Sequence, residues 1–240
     1  MFRHQGKART LGHNLQIASL LSFVAGLVNV AGFLAVARLT TNVTGHFAFF
    51  ADEVFQLHFW SGFIYFLYIF FFLIGAFLSS FLVELVLTKN ERNIYIIPLT
   101  TEITVLLSVA IFGNDLMNEN PDLIACTLLF AMGLQNSLVT KISNATVRTT
   151  HLTGLFTDLG IELSQLFFYE QPVLKEKLYA SIKLRSTIIG FFFIGGIIGA
   201  LFYAKIKLGV LFIAVAVLIS GVIYDKAKIT IISLKRKHHI

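Results

Sequence analysis

Thr40-Thr41-Asn42-Val43-Thr44-Gly45 and Thr149-Thr150-His151-Leu152-Thr153-Gly154 are one polar motif, T-T-x-x-T-G, written twice in a chain of 240 residues. The match extends in both directions. Upstream, Phe23-Val24-Ala25-Gly26-Leu27-Val28-Asn29 parallels Phe130-Ala131-Met132-Gly133-Leu134-Gln135-Asn136. Downstream, Glu53 falls on Glu162, and Phe71-Phe72-Leu73-Ile74-Gly75-Ala76 parallels Phe191-Phe192-Phe193-Ile194-Gly195-Gly196. Hydrophobic bias can produce a Phe-rich run by chance, but it does not produce T-T-x-x-T-G twice. The blocks keep their order, so the sequence reads as two related halves, 15–112 and 122–224. They form a single domain over 1–240, with tails at 1–14 and 225–240.

Everything around the two motifs is apolar. Hydrophobic residues make up 56% of the chain and charged ones only 13%, and Phe alone occurs 25 times. Soluble domains are nearer a quarter charged, and a chain of this length cannot hide so much apolar surface in one water-soluble globule. Six segments approach the ~20 residues needed to cross a bilayer core: Leu15–Ala37, Phe59–Leu87, Ile94–Phe112, Leu123–Val139, Thr187–Ala204 and Leu208–Ile223. With no water available to their backbone, each must be helical. Between them, Thr44–Leu57 and Thr153–Phe168 are too short or too polar to span and are expected as short broken helices. The fold class is therefore all-α, a membrane bundle of six transmembrane helices. Arg3, Lys7 and Arg9 precede an apolar run with a small-x-small site at Ala35-Val36-Ala37. That run is longer than a secretory h-region of ~7–15 residues and recurs in the second half, so it is read as part of the fold.

Lysine and arginine set the orientation. Arg3, Lys7 and Arg9 at one end, and Lys226, Lys228, Lys235, Arg236 and Lys237 at the other, put both ends on the cytoplasmic side. The Lys89–Arg92 turn and a loop carrying Lys175, Lys177, Lys183 and Arg185 follow them inside. Asp115, Glu119 and Asp122 fall outside, and only Lys205 and Lys207 disagree. Three crossings per half is an odd number, so the second half lies inverted relative to the first, an organisation shared with many secondary transporters.

The G-L-x-N segments, the paired T-T-x-x-T-G motifs and the Arg148–Leu163 stretch, R-T-T-H-L-T-G-L-F-T-D-L-G-I-E-L, resemble the YoaK-type family of bacterial membrane proteins across essentially the whole chain. The resemblance implies a multi-pass protein of the bacterial inner membrane and supplies no substrate. One departure is His46-Phe47-Ala48 after the first motif, where small aliphatic residues are expected.

Several polar residues could carry chemistry. Glu102 stands near the middle of an apolar segment, where a carboxylate costs about 2.5–3.5 kcal/mol and is by default functional. It is read as a proton-coupling group or as a hydrogen-bonded packing residue. Thr40, Thr41, Asn42, Thr44 and Gly45, with Thr149, Thr150, His151, Thr153 and Gly154, form two polar knots at helix starts. Free N–H groups there can receive an anionic group; the plainer reading is N-capping, which accounts for one Thr and not for four matched positions per half. Asp158 and Glu162 share a face at i and i+4, as a solvated face or as part of a proton or cation path, with Arg148 available to pair or to read an anion. Asn29, Gln135 and Asn136 read as helix-interface residues or as a polar path. Gly190, Gly195, Gly196 and Gly199, with Gly75 and Ser79, suit close helix contact, within one subunit or in a homodimer.

The sequence argues against several classes. It has no H-E-x-x-H, G-x-S-x-G, P-loop or C-x-x-C, so no enzyme, metal or cofactor is expected. Cys126 is alone, which excludes an internal disulfide. The +6 charge follows membrane topology and not a nucleic-acid footprint. The expectation is a small secondary transporter in the lipid bilayer, moving a small anionic or zwitterionic solute, with proton coupling through Glu102. The alternative is a non-transporting scaffold, sensor or assembly factor.

Overall fold

The computed structural model describes residue 2 and residues 9–88 and 94–237, with side chains up to 227. Arg3, Lys7 and the Lys89–Arg92 turn, and the side chains of Lys228, Lys235, Arg236 and Lys237, lie outside the described residues. The protein is all-helical, with no strand among the described residues: α1 (Leu11–Val36), α2 (Thr44–Phe55), α3 (Phe59–Leu87), α4 (Ile96–Glu119), α5 (Pro121–Ile142), α6 (Leu152–Gln165), α7 (Pro172–Ile206) and α8 (Leu211–Lys237). A 3-10 turn at Lys207–Val210 separates the last two. Among the described residues five stretches are long and apolar enough to cross a membrane, the fifth being Pro172–Ala227, which that turn interrupts.

Two helix pairs make the core. Gly26 on α1 lies so close to α7 that an added Cβ would sit 1.9 Å from the Phe192 carbonyl oxygen, and Gly195 on α7 stands 2.0 Å from that of Phe23 on the same measure. The pair α3–α5 repeats the contact: Gly75 faces the Phe130 carbonyl at 2.1 Å and Gly133 faces that of Phe72 at 2.2 Å. These are matched positions of the two halves, so each half lends its first long helix to the second long helix of the other. Small residues let such backbones touch, and van der Waals packing then substitutes for a hydrophobic drive that lipid does not supply. The G-x-x-x-G of α7 is thereby occupied within the subunit: Gly195 meets Phe23, and Gly199 meets Leu27.

Both pairs run parallel. Tyr68 and Asp122 touch near the starts of the α3–α5 contact, and Lys141 bonds Ser80 and Glu84 near the ends. The helices α4 and α8 run antiparallel across one flank. At one end Asn114 of α4 accepts the Leu208 N–H at 2.9 Å and donates to the Ile206 carbonyl at 3.4 Å. At the other, Phe2 stacks on Tyr95 just before α4 and donates its N–H to Asp225 of α8 at 3.3 Å.

Two expectations need correction. The basic loop with Lys175, Lys177, Lys183 and Arg185 is helix: α7 has 35 residues and begins at Pro172, not near Thr187. Pro at the first helical position, good helix formers, and inward Leu178 and Leu184 carry it through the charges. The tail from 225 likewise continues as helix to Lys237.

Candidate functional site

After each half's first long helix the chain turns back on itself. Helix α1 ends in Ala37, left-handed at φ 51°, and Thr40 then donates its hydroxyl to the Val28 carbonyl at 3.2 Å. Val28 lies eight residues before Val36, so the segment has re-entered by about 12 Å along the helix at 1.5 Å per residue. Beside it, the Thr41 hydroxyl donates to Asn29 Oδ1 at 2.7 Å. The second half repeats the device. Asn144 and Ala145 are left-handed at φ 53° and 60°, and the Thr150 hydroxyl donates to Asn136 Oδ1 at 2.9 Å. Asn29 and Asn136 thus tie down the returning segment of their own half, whereas a helix-interface reading would have them bond a neighbouring helix.

From these returns α2 and α6 set out. The plainer expectation that Thr caps them does not hold: the cap positions are Val43 and His151, and neither helix receives a side-chain cap bond. The first N–H groups of both helices are therefore left to the space they face, which carries the positive ends of two helix dipoles.

That space is one cavity of about 490 Å³, lined from both halves: Asn29, Thr41, Asn42 and Thr44 from the first, and Thr150, His151, Leu152, Thr153, Gly154 and Phe192 from the second. Thr40 and Thr149 do not reach it. They are fully buried, and Thr149 accepts a 3.2 Å bond from Gln135 Nε2, which also donates to the Leu21 carbonyl at 3.1 Å. Gln135 and Asn136 stand behind the lining and support it.

A second cavity of about 490 Å³ is lined by Ala145, Thr146, Arg148, His151, Gly154, Leu155, Asp158, Ser181, Leu184 and Arg185. His151 and Gly154 line both. The imidazole of His151 packs so closely on Gly154 that an added Cβ would lie 2.3 Å from its Cδ2, so this ring forms the partition. Arg185 bonds Asp158 at 3.0 Å and Glu162 at 2.9 Å, and Ser181 donates to Glu162 at 2.5 Å. Arg148, the partner expected for Asp158, lines the same cavity without a described ion pair to it. Arg185 is the cavity-lining residue absent from the candidates the sequence offers, because its charged segment reads as a loop. The signal was available, since Ser181 and Arg185 lie one turn apart and match Ser61 and Tyr65 of the first half.

Glu102 is placed elsewhere. It is fully buried on α4, neither carboxylate oxygen has a hydrogen-bond partner, and it lines neither cavity. Among the described residues no cluster of His, Cys, Asp or Glu could hold a metal.

Glycine-packed helices with apolar outer faces, and a cavity lined by Thr and Asn between two broken segments, are the marks of a multi-pass helical membrane protein. Its lineage is clear: residues 17–224 match the family described as Protein of unknown function (DUF1275), and the chain belongs to that family. No curated protein and no solved structure matches it.

Proposed function

We propose that this protein is a small secondary transporter, of the YoaK type, that binds a small anionic or zwitterionic solute in the cavity shared by its two T-T-x-x-T-G segments. The observation that carries the reading is that shared lining: two matched segments, far apart in sequence, each ending in an uncapped helix start, face one space of about 490 Å³. Pockets of this size suit small solutes, and converging dipole ends with Thr and Asn donors suit negative charge. Broken helices meeting at mid-depth are how many secondary transporters build their sites.

In this proposal the chain crosses the bacterial inner membrane six times as a 3+3 inverted repeat, with both ends cytoplasmic. The antiparallel contacts of α4 with α8 support treating Pro172–Ala227 as two crossings. The exposed Phe63, Phe66, Leu73, Phe77 and Phe81 of α3 form the lipid face. Glu102 has no route to the cavity in this conformation, so any proton it exchanges would move in another state of the cycle. Rocking of the halves at the glycine contacts would supply that state.

Thermal unfolding of the purified protein in detergent tests the binding step, with acetate, lactate, inorganic phosphate, chloride and glycine at pH 5.5 and 7.5. A solute at 100 times its Kd stabilises by about 2.7 kcal/mol, and Asn136→Ala should remove the shift. Flux of the hit in proteoliposomes should depend on pH, and Glu102→Gln should abolish that dependence. If no solute shifts the transition, the binding reading fails and a scaffold becomes the better account. If pH dependence survives Glu102→Gln, Glu102 is not the coupling group.

A further inference from the structure

The two hairpins that flank the shared cavity, α2–α3 and α6–α7, have equivalent positions but opposite chemistry. Where the second half places Asp158 against Arg185 in an ion pair of 3.0 Å, the first half places Phe49 against Tyr65, stacked at 5.2 Å between centroids. Arg148, which lines the second cavity, has Leu39 as its counterpart, and Leu39 is folded onto Gly45, 2.4 Å from where a Cβ would stand.

The aromatic pair is backed by more contacts of the same kind. The Arg38 guanidinium lies over the Tyr65 ring at 5.8 Å, a cation–π contact. His46 is fully buried, holds the Leu39 carbonyl at 2.5 Å and packs on Tyr68 at 4.8 Å. Tyr68 meets the Tyr65 edge at 5.7 Å and donates its hydroxyl to Asp122. On the α2–α3 side the volume that forms a polar vestibule on the other side is filled with rings and a leucine.

We propose that the shared cavity is gated asymmetrically: Phe49 and Tyr65, braced by Arg38 and His46, latch it shut on the α2–α3 side, while the equivalent Asp158–Arg185 pair leaves a water-filled vestibule on the α6–α7 side, with His151 as the partition. This rests on the transporter reading and adds its gates. The physical difference is decisive for access. Stacked rings offer no polar group for a solute to follow, whereas a partly exposed ion pair stays hydrated. The conformation is therefore open toward α6–α7, and opening the other door requires unstacking Phe49 from Tyr65.

The test measures the side from which a cavity position can be reached. In a Cys126→Ala background, Asn42→Cys is labelled with a membrane-impermeant maleimide in sealed vesicles of each orientation. Labelling is expected from the α6–α7 side and at least tenfold slower from the α2–α3 side. Adding Phe49→Ala with Tyr65→Ala should bring the two rates within about threefold. Because those truncations could unfold the hairpin, Phe49→Asp with Tyr65→Arg copies the opposite pair and should open the same side. Conversely, Asp158→Phe with Arg185→Tyr should slow labelling from the α6–α7 side at least tenfold. Equal rates from both sides in the parent, whose latch is intact, or no change in either paired exchange, would overturn the latch. Absence of labelling from both sides would remove the cavity itself, and with it the transporter reading.

Discussion

Gly133→Ala and Gly26→Ala are expected to be among the most damaging single-methyl additions in this protein, each costing about 3 kcal/mol or more, above the usual range for overpacking. A Cβ at these positions meets the Phe72 and Phe192 carbonyl oxygens at 2.2 and 1.9 Å. The obstacle is backbone, which cannot rotate away, so the helices must separate along their whole contact. Alanine's helix propensity returns only about 1 kcal/mol. Gly75→Ala and Gly195→Ala should behave alike, because they make the reciprocal contacts. Gly160 and Gly190 provide the control: no atom lies within 4 Å of an added Cβ, so alanine there should be neutral or stabilising by up to about 1 kcal/mol. Unfolding midpoints in mixed detergent separate the two groups. If Gly133→Ala matched Gly190→Ala, the pairing of α3 with α5 would be wrong, and a match by Gly26→Ala would refute that of α1 with α7.

Arg185→Met is expected to cost about 2 kcal/mol, less than the 3–5 kcal/mol of a fully buried pair because Arg185 keeps 24% of its side chain exposed. Its partners differ. Glu162 is only 12% exposed and loses its main counter-charge, while Asp158, at 50%, can turn to water. Glu162→Gln should therefore recover much of the loss in the Arg185→Met background, whereas Asp158→Asn should recover little. The comparison is read from unfolding midpoints of the single and double variants. Equal rescue by the two would mean that α6 is not held to α7 through Glu162.

The repeat was legible because its key residues are polar or small in an apolar chain, where chance rarely places them. T-T-x-x-T-G, the paired glycines and the paired Asn all mark places where the structure does something unusual. The backward turns were not legible. They depend on left-handed conformations at Ala37, Asn144 and Ala145, and alanine is a helix former that gives no warning of a reversal. Arg185 was hidden for a related reason: hydropathy marks lipid-facing length, and α7 extends fifteen residues beyond its apolar part into charged sequence that lies alongside α6. Capping by Thr was the natural reading of a Thr-rich helix start. The hydroxyls instead go to Asn29, Asn136 and the Val28 carbonyl, which leaves the helix starts uncapped at the cavity. That exchange of roles is what turns a structural motif into a candidate binding site.

The central claim is that the two motifs share one water-reachable cavity, and label stoichiometry tests it most directly. In the cysteine-free background, Asn42→Cys and Thr153→Cys are made singly and together, reacted with a bulky maleimide dye, and weighed intact by mass spectrometry. A single cavity of about 490 Å³ predicts one dye on each single variant and still only one on the double. Two dyes on the double variant would place the motifs in separate sites, and none on any variant would mean the cavity is sealed from water; either result contradicts the account.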